Sequence, residues 1–129
     1  MVTTRDRGSM SVFVVGLVMS FVMATGLAVD GGRILAARIS VADHAENAAR
    51  AGAQQVTLLR LGWRVLDPTR AEAAAEEYLR SHGLSGAVSV GIDSVTVTVT
   101  MAKNMTLLRL AGVGAKTVSA TRTARLVST

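Results

Sequence analysis

Few residues in this chain are able to do chemistry. Its 129 residues include two histidines, His44 and His82, and no cysteine. Without a thiol there is no disulfide, no thiolate nucleophile and no cysteine metal site. His44 stands between charged neighbours and His82 close to a helix stop, so each reads as a surface histidine. No Gly-rich phosphate loop opens a helix, no metal-ligand spacing occurs, and no nucleophile has a recognisable base. Asn104-Met105-Thr106 matches an N-glycosylation acceptor, a pattern short enough to arise by chance. No catalytic set assembles, and the expectation is a non-enzyme with no cofactor and no metal.

The remaining chemistry is charge. The net charge is +5, and residues 94–129 contain Lys103, Arg109, Lys116, Arg122 and Arg125 but no acid. This reads either as a solvated basic face or as attraction to an anionic lipid or surface polymer. Aromatic residues make up only 3% of the chain, so the basic residues lack the interleaved stacking platforms of a nucleic-acid module. No nucleic acid is expected. The other notable charges, Asp30 and Arg33, interrupt "GLAVDGGRILAAR" at i,i+3 spacing.

Upstream of that interruption, Met10–Val29 is an uncharged run of 20 residues. A helix needs about 20 such residues to cross the hydrocarbon core. Arg5 and Arg7 precede the run, which favours a cytoplasmic N-terminus, although Arg33 and Arg38 follow it closely. A cleaved secretory signal is the competing reading, with Gly26 and Ala28 as the small residues before a cut ahead of Val29. The length of the run and the helical periodicity beyond it favour an uncleaved helix. Within it, Gly16, Ser20, Ala24 and Ala28 recur every fourth residue, and the row continues through Gly32 and Ala36. Such spacing lets helix backbones approach closely where water provides no driving force. Each step drifts roughly 40° around the helix, so several neighbours at different heights would use the whole row.

Periodicity predicts that the helix continues from Gly31 to Leu61. Ile34, Val41, Ala45, Ala48, Gly52, Val56 and Leu59 form one stripe, with Asp43, Glu46 and Arg50 opposite. Gly31-Gly32 is a candidate weak point. A second helix is predicted after Pro68, with a stop at Gly83. The period then changes to two. Val88, Val90 and Ile92 share one face, as do Val95, Val97, Val99 and Met101. Val118, Ala120, Ala124 and Leu126 face inward on the last strand. Arg122 falls on that inward face, which implies either a sheet edge or a buried partner. Between the last two strands, Asn104 and Gly112 bracket a short helix. Leu107, Leu108 and Leu110 there either pack back on the sheet or contact a membrane surface or partner.

The stretch "RDRGSMSVFVVGLVMSFVMATGLAVDGGRILAARISVADHAENAARAGA" resembles the N-terminal segment of the TadE/TadG-like proteins of the tight-adherence (Flp) pilus system. The shared elements are a basic lead, an apolar helix, the "GLAVDxGR" turn (Asp30, Gly32 and Arg33 here) and an alanine-rich continuation. The threonine/valine hairpin and "TVSATRTARL" strand are also similar to the small heads of TadE-type minor pilins. The resemblance implies a pilin-like structural or assembly component with a membrane-embedded helix and an extracytoplasmic head. Its partners would be other pilin-like subunits and the assembly platform. It also implies a candidate prepilin peptidase site at Gly8–Ser9. Phe13 stands where processed members carry a Glu, which argues against a role as the major filament subunit.

The expected architecture is α+β, a type IV pilin-like lollipop. Residues 1–9 form a basic lead, 10–29 a transmembrane helix, 30–62 its amphipathic continuation, and 63–129 a small head with a three-stranded antiparallel sheet. A head of that size without disulfides is marginal alone, so the amphipathic half of the helix is expected to pack on the sheet. The expected location is the bacterial cytoplasmic membrane, single-pass, with the head outside. The alternative is an anchored or secreted basic binding module that uses the apolar segment only as a signal or anchor.

Overall fold

The computed structural model describes residues 5–58, 64–105, 109, 112 and 114–126. Helix α1 runs from Arg5 to Ala53 without interruption and passes straight through Gly31-Gly32. No proline occurs before Pro68, and alanine, the best helix former, is the commonest residue of the segment. The helix stops earlier than the periodicity predicts. At Gln54 and Gln55 the amides turn back to Arg50 O at 3.1 Å and Gly52 O at 3.0 Å. The chain then enters strand β1 (Val56–Leu58), which pairs antiparallel with β2 (Arg64–Leu66). Val56 thus continues the hydrophobic stripe by sequence but sits in a strand. Its β-branched side chain favours an extended backbone, and β2 supplies a ladder to pair with.

Helix α2 (Pro68–Ser81) has its limits written in local chemistry. Asp67 is the N-cap and accepts from the Arg70 amide at 3.1 Å, while Pro68 occupies the first position, where no amide is needed. At the far end Gly83 takes φ +63°, its amide donates to Arg80 O, and the Leu84 amide donates to Leu79 O at 2.9 Å. Those two bonds are the Schellman closure, and only glycine adopts that φ at no steric cost.

Strands β3 (Ser85–Val90), β4 (Ser94–Lys103) and β5 (Lys116–Arg125) form an antiparallel sheet in that order. Val88 faces Val97 across β3–β4, and Val99 faces Ala120 across β4–β5. One face is apolar, and Val95, Val97 and Val99 are fully buried there. Ala45 and Ala48 of α1, with Ala75 and Leu79 of α2, belong to the same core. Small helical side chains bring the helices close to the sheet. A Cβ on Gly52 would lie 2.8 Å from Ala71 O and 3.0 Å from a Val95 methyl, so this position admits nothing larger than hydrogen. The other face carries hydroxyls, with Thr96 bonded to Thr123 and Thr98 to Thr121, each at 2.8 Å. Ile92 departs from the expected inward face. It lies in the β3–β4 turn and is 92% exposed, because the strand alternation ends at Val90.

The chain divides into two compact units. The larger joins Ile34–Lys103 to Lys116–Thr129 and contains the core just described. The amphipathic half of α1 is therefore part of the folded head, as the small size of the head requires. The smaller unit joins Met1–Arg33 to Asn104–Ala115. Residues 104–115 thus group with the apolar helix rather than with the sheet.

Candidate functional site

The functional features sit on α1, and the helix presents two distinct stripes. The inner one is continuous: Gly26, Asp30, Ala37, Val41, Ala45 and Ala48 are buried, with Ile34 half-buried between Asp30 and Ala37. The spacings of four, four, three, four, four and three follow one face of a 3.6-residue helix. The small-residue row is the other stripe. Gly16, Ser20, Ala24, Ala28, Gly32 and Ala36 are all exposed. A Cβ added at Gly16 or Gly32 would meet nothing within 4 Å. Ala28 lies two residues from both Gly26 and Asp30, about 200° around the helix. At Ala28 and Gly32 the row is on the side opposite the covered one, but at roughly 40° per step it has wound there from the covered side at Gly16. Ser20 donates its hydroxyl to Gly16 O at 2.9 Å, so the hydroxyl is satisfied within the helix and does not compete for a neighbour.

Large apolar side chains flank the row. Phe13 is 68% exposed and Phe21 66%. By length and composition this helix is able to cross a membrane, and its most apolar window has a mean hydropathy of 2.4 with only 6% of residues buried. Apolar surface of that extent is the kind that lipid or another helix covers. The candidate peptidase position, Gly8–Ser9, is exposed and lies within the same continuous helix.

At the end of the apolar run, Asp30 is 1% exposed, while Arg33, one turn on, has a side chain 52% exposed with Nη1 4.0 Å from Asp30 Oδ1. Asp30 is an intramolecular residue, covered by its own chain. It was legible in principle: four residues back from Ile34, it stands on the same stripe as the core. Met105, from the segment grouped with this half of the helix, is also buried.

The two histidines, expected as separate surface residues, meet. His44 Nδ1 lies 3.2 Å from the Tyr78 hydroxyl, and the His82 ring stacks on the Tyr78 ring with centroids 4.2 Å apart. His82 Nδ1 is 2.8 Å from Tyr78 O, to which it donates. The cluster ties α1 to the C-terminal end of α2. No carboxylate hydrogen-bonds either imidazole among the described residues, and no group of three or more histidine and acidic side chains is placed to hold a metal ion. The arrangement packs and orients rather than assembling an acid–base pair.

Arg122 sits opposite Val97 in the register, on the inner face of β5, yet it is exposed and donates to Thr121 O at 3.0 Å. Because β5 is an edge strand, the guanidinium reaches past the sheet into solvent. Arg122 thus lies at a sheet edge, one of the two readings open for it. Leu107, Leu108 and Leu110 lie outside the described residues.

Residues 8–55 match the family model of Flp pilus-assembly TadE/G-like proteins. The match ends at the turn that closes α1 and covers the small-residue row, the Asp30–Arg33 pair and the amphipathic half of the helix. No curated protein matches the chain, and no solved structure does.

Proposed function

We propose that this chain is a membrane-anchored, pilin-like component of a tight-adherence pilus or a related type IV assembly. It packs against other pilin-like helices through the row from Gly16 to Ala36. The family match supports a role in pilus assembly. The observation that carries the finer reading is the division of α1 into two stripes. One is consumed by the chain's own fold, and the other, which winds round to the opposite side by Ala28 and Gly32, is lined by small residues and left open. Helices that associate in lipid gain from close backbone approach, and small side chains permit it.

On this reading Met10–Val29 spans the cytoplasmic membrane once and the head lies outside. The partners are other pilin-like subunits and the assembly platform, with the basic C-terminal strands free to meet an anionic surface polymer. The role is structural. Gly8–Ser9 is the candidate processing site, and Phe13 in place of a carboxylate assigns the chain to the minor or assembly components. The test replaces Gly16, Ser20 and Ala24 together with leucine. Piliation should be lost while the head stays folded; intact pili would sink the packing mechanism. The mass of the protein from each cell compartment decides against the other class of function. A start at Met1 or Ser9 in the membrane supports the proposal, and a start at Val29 in the medium replaces it with a secreted binding module.

A further inference from the structure

We infer that the head binds a second copy of this chain edge to edge, with strand β5 of one copy beside strand β3 of the next. This goes beyond the reading above, because it concerns the larger unit alone and does not depend on the row from Gly16 to Ala36. The sheet order is β3-β4-β5, so β3 and β5 are its two edges. β5 is ten residues long and contains no proline. β3 is exposed or half-buried at every position. Among the described residues each pairs only with β4. Unpaired backbone along such an edge is a template for another strand. Both edges run antiparallel to β4, so they run the same way as each other. A copy displaced sideways by one sheet width therefore brings its β3 alongside β5 in parallel.

Charge selects this pairing over the alternatives. β5 carries Lys116, Arg122 and Arg125 and no acid, and all three are exposed. Joining β5 to its own copy would set like charges together. Arg122 is a charge on the inner face of an open edge, which deters any strand that brings no acid to meet it. The β3 edge brings two. Helix α2 packs over β3 on that same inner face. Gly52 of α1 lies against Val95 of β4, so α1 is on the β5 side of α2. Tyr78 turns toward α1, where its hydroxyl meets His44. Glu76 lies two residues before Tyr78, about 200° around the helix, and Glu72 is one turn before Glu76. The two acids therefore line the flank of α2 that faces out past the β3 edge. Both are exposed, and neither they nor Arg122 form an ion pair among the described residues. At i,i+4 spacing the two carboxylates repel one another, and a neighbour's Arg122 relieves that repulsion. A contact between unlike edges leaves one of each free at the ends, so it propagates from copy to copy.

The absence of cysteine makes the test direct. Ser89 and Thr123 both pair with Thr96, so they stand on one rung at the two edges of the sheet, and both are exposed. Full-length Ser89→Cys and Thr123→Cys chains are purified separately in detergent, mixed at low salt and treated with a short bismaleimide. The mixture should give cross-linked dimer several-fold above either chain alone. Glu72→Arg with Glu76→Arg on the Ser89→Cys chain should remove that excess, and so should Arg122→Glu on the Thr123→Cys chain. Mixing the two reversed chains should restore it, which a misfolded head could not do. No excess in the first mixture, or charge reversal without restoration, would overturn the edge-to-edge contact. The excess should persist when both chains also carry Gly16→Leu, Ser20→Leu and Ala24→Leu, and its loss there would overturn the head contact in favour of the row. The sample contains no other pilus component, so this outcome is read independently of piliation.

Discussion

Asp30 and Arg33 sit one turn apart at the end of the apolar run, and the carboxylate is buried while the guanidinium is half in solvent, with Nη1 4.0 Å from Oδ1. The asymmetry matters because the two side chains answer to different environments. Arg33 faces water and contributes as an exposed charge, screened and worth less than about 1 kcal/mol. Asp30 is enclosed by its own chain, in the unit that includes Asn104–Ala115. Truncating a buried carboxylate leaves a void and strips its donors of a partner. Asp30→Ala should therefore lower the denaturant midpoint in detergent more than Arg33→Ala does. Equal losses from the two would mean that the ion pair itself carries the contact.

The same substitution should have opposite signs at two glycines of one helix. A methyl at Gly32 meets nothing within 4 Å, and alanine is better than glycine in a helix by about 1 kcal/mol, so Gly32→Ala should be neutral or stabilising. At Gly52 the methyl would press on Ala71 O and Val95, and overpacking costs about 1–3 kcal/mol despite the better propensity. Denaturant midpoints in detergent check this, and equal effects at the two sites would contradict the described packing of α1 on the sheet.

In cells the two positions should fail in different ways. Gly32 lies on the open row and Gly52 on the buried stripe. Gly32→Leu should therefore impair assembly without lowering the amount of folded head, whereas Gly52→Leu should lower the amount of protein itself. Measuring pili and protein level together separates the two effects. A Gly32→Leu chain that assembles normally would remove this position from the interface.

The Tyr78 hydroxyl joins two helices through His44. Tyr78→Phe should cost about 1 kcal/mol, and a double-mutant cycle with His44→Ala should return a coupling of similar size. Additivity within error would show that ring packing, not the hydrogen bond, makes the contact.

Much of the fold was legible because it follows from local rules. Asp67-Pro68 and Gly83 bracket α2 through capping chemistry that needs only neighbours in sequence. The valines of β4 alternate with threonines, and the pleat converts that alternation into an inner and an outer face. The end of α1 was not legible. Val56 fits the helical stripe, and only pairing with β2 makes the extended form win. Ile92 fits the strand alternation, and only the position of the turn puts it in water.

By itself the sequence determined the long apolar helix, the small-residue row and the alternating strands of the three-stranded sheet, because each depends on residue types at fixed spacing along one segment. Contacts between distant segments were decided by the tertiary structure alone. It joined His44 to Tyr78 across 34 residues, opened Arg122 at the sheet edge, and grouped Asn104–Ala115 with the apolar helix instead of the sheet. It also buried Asp30 while leaving the small-residue row of the same helix bare. Periodicity defines the faces of a helix, but only the packed neighbours determine which face is consumed and which is left for a partner.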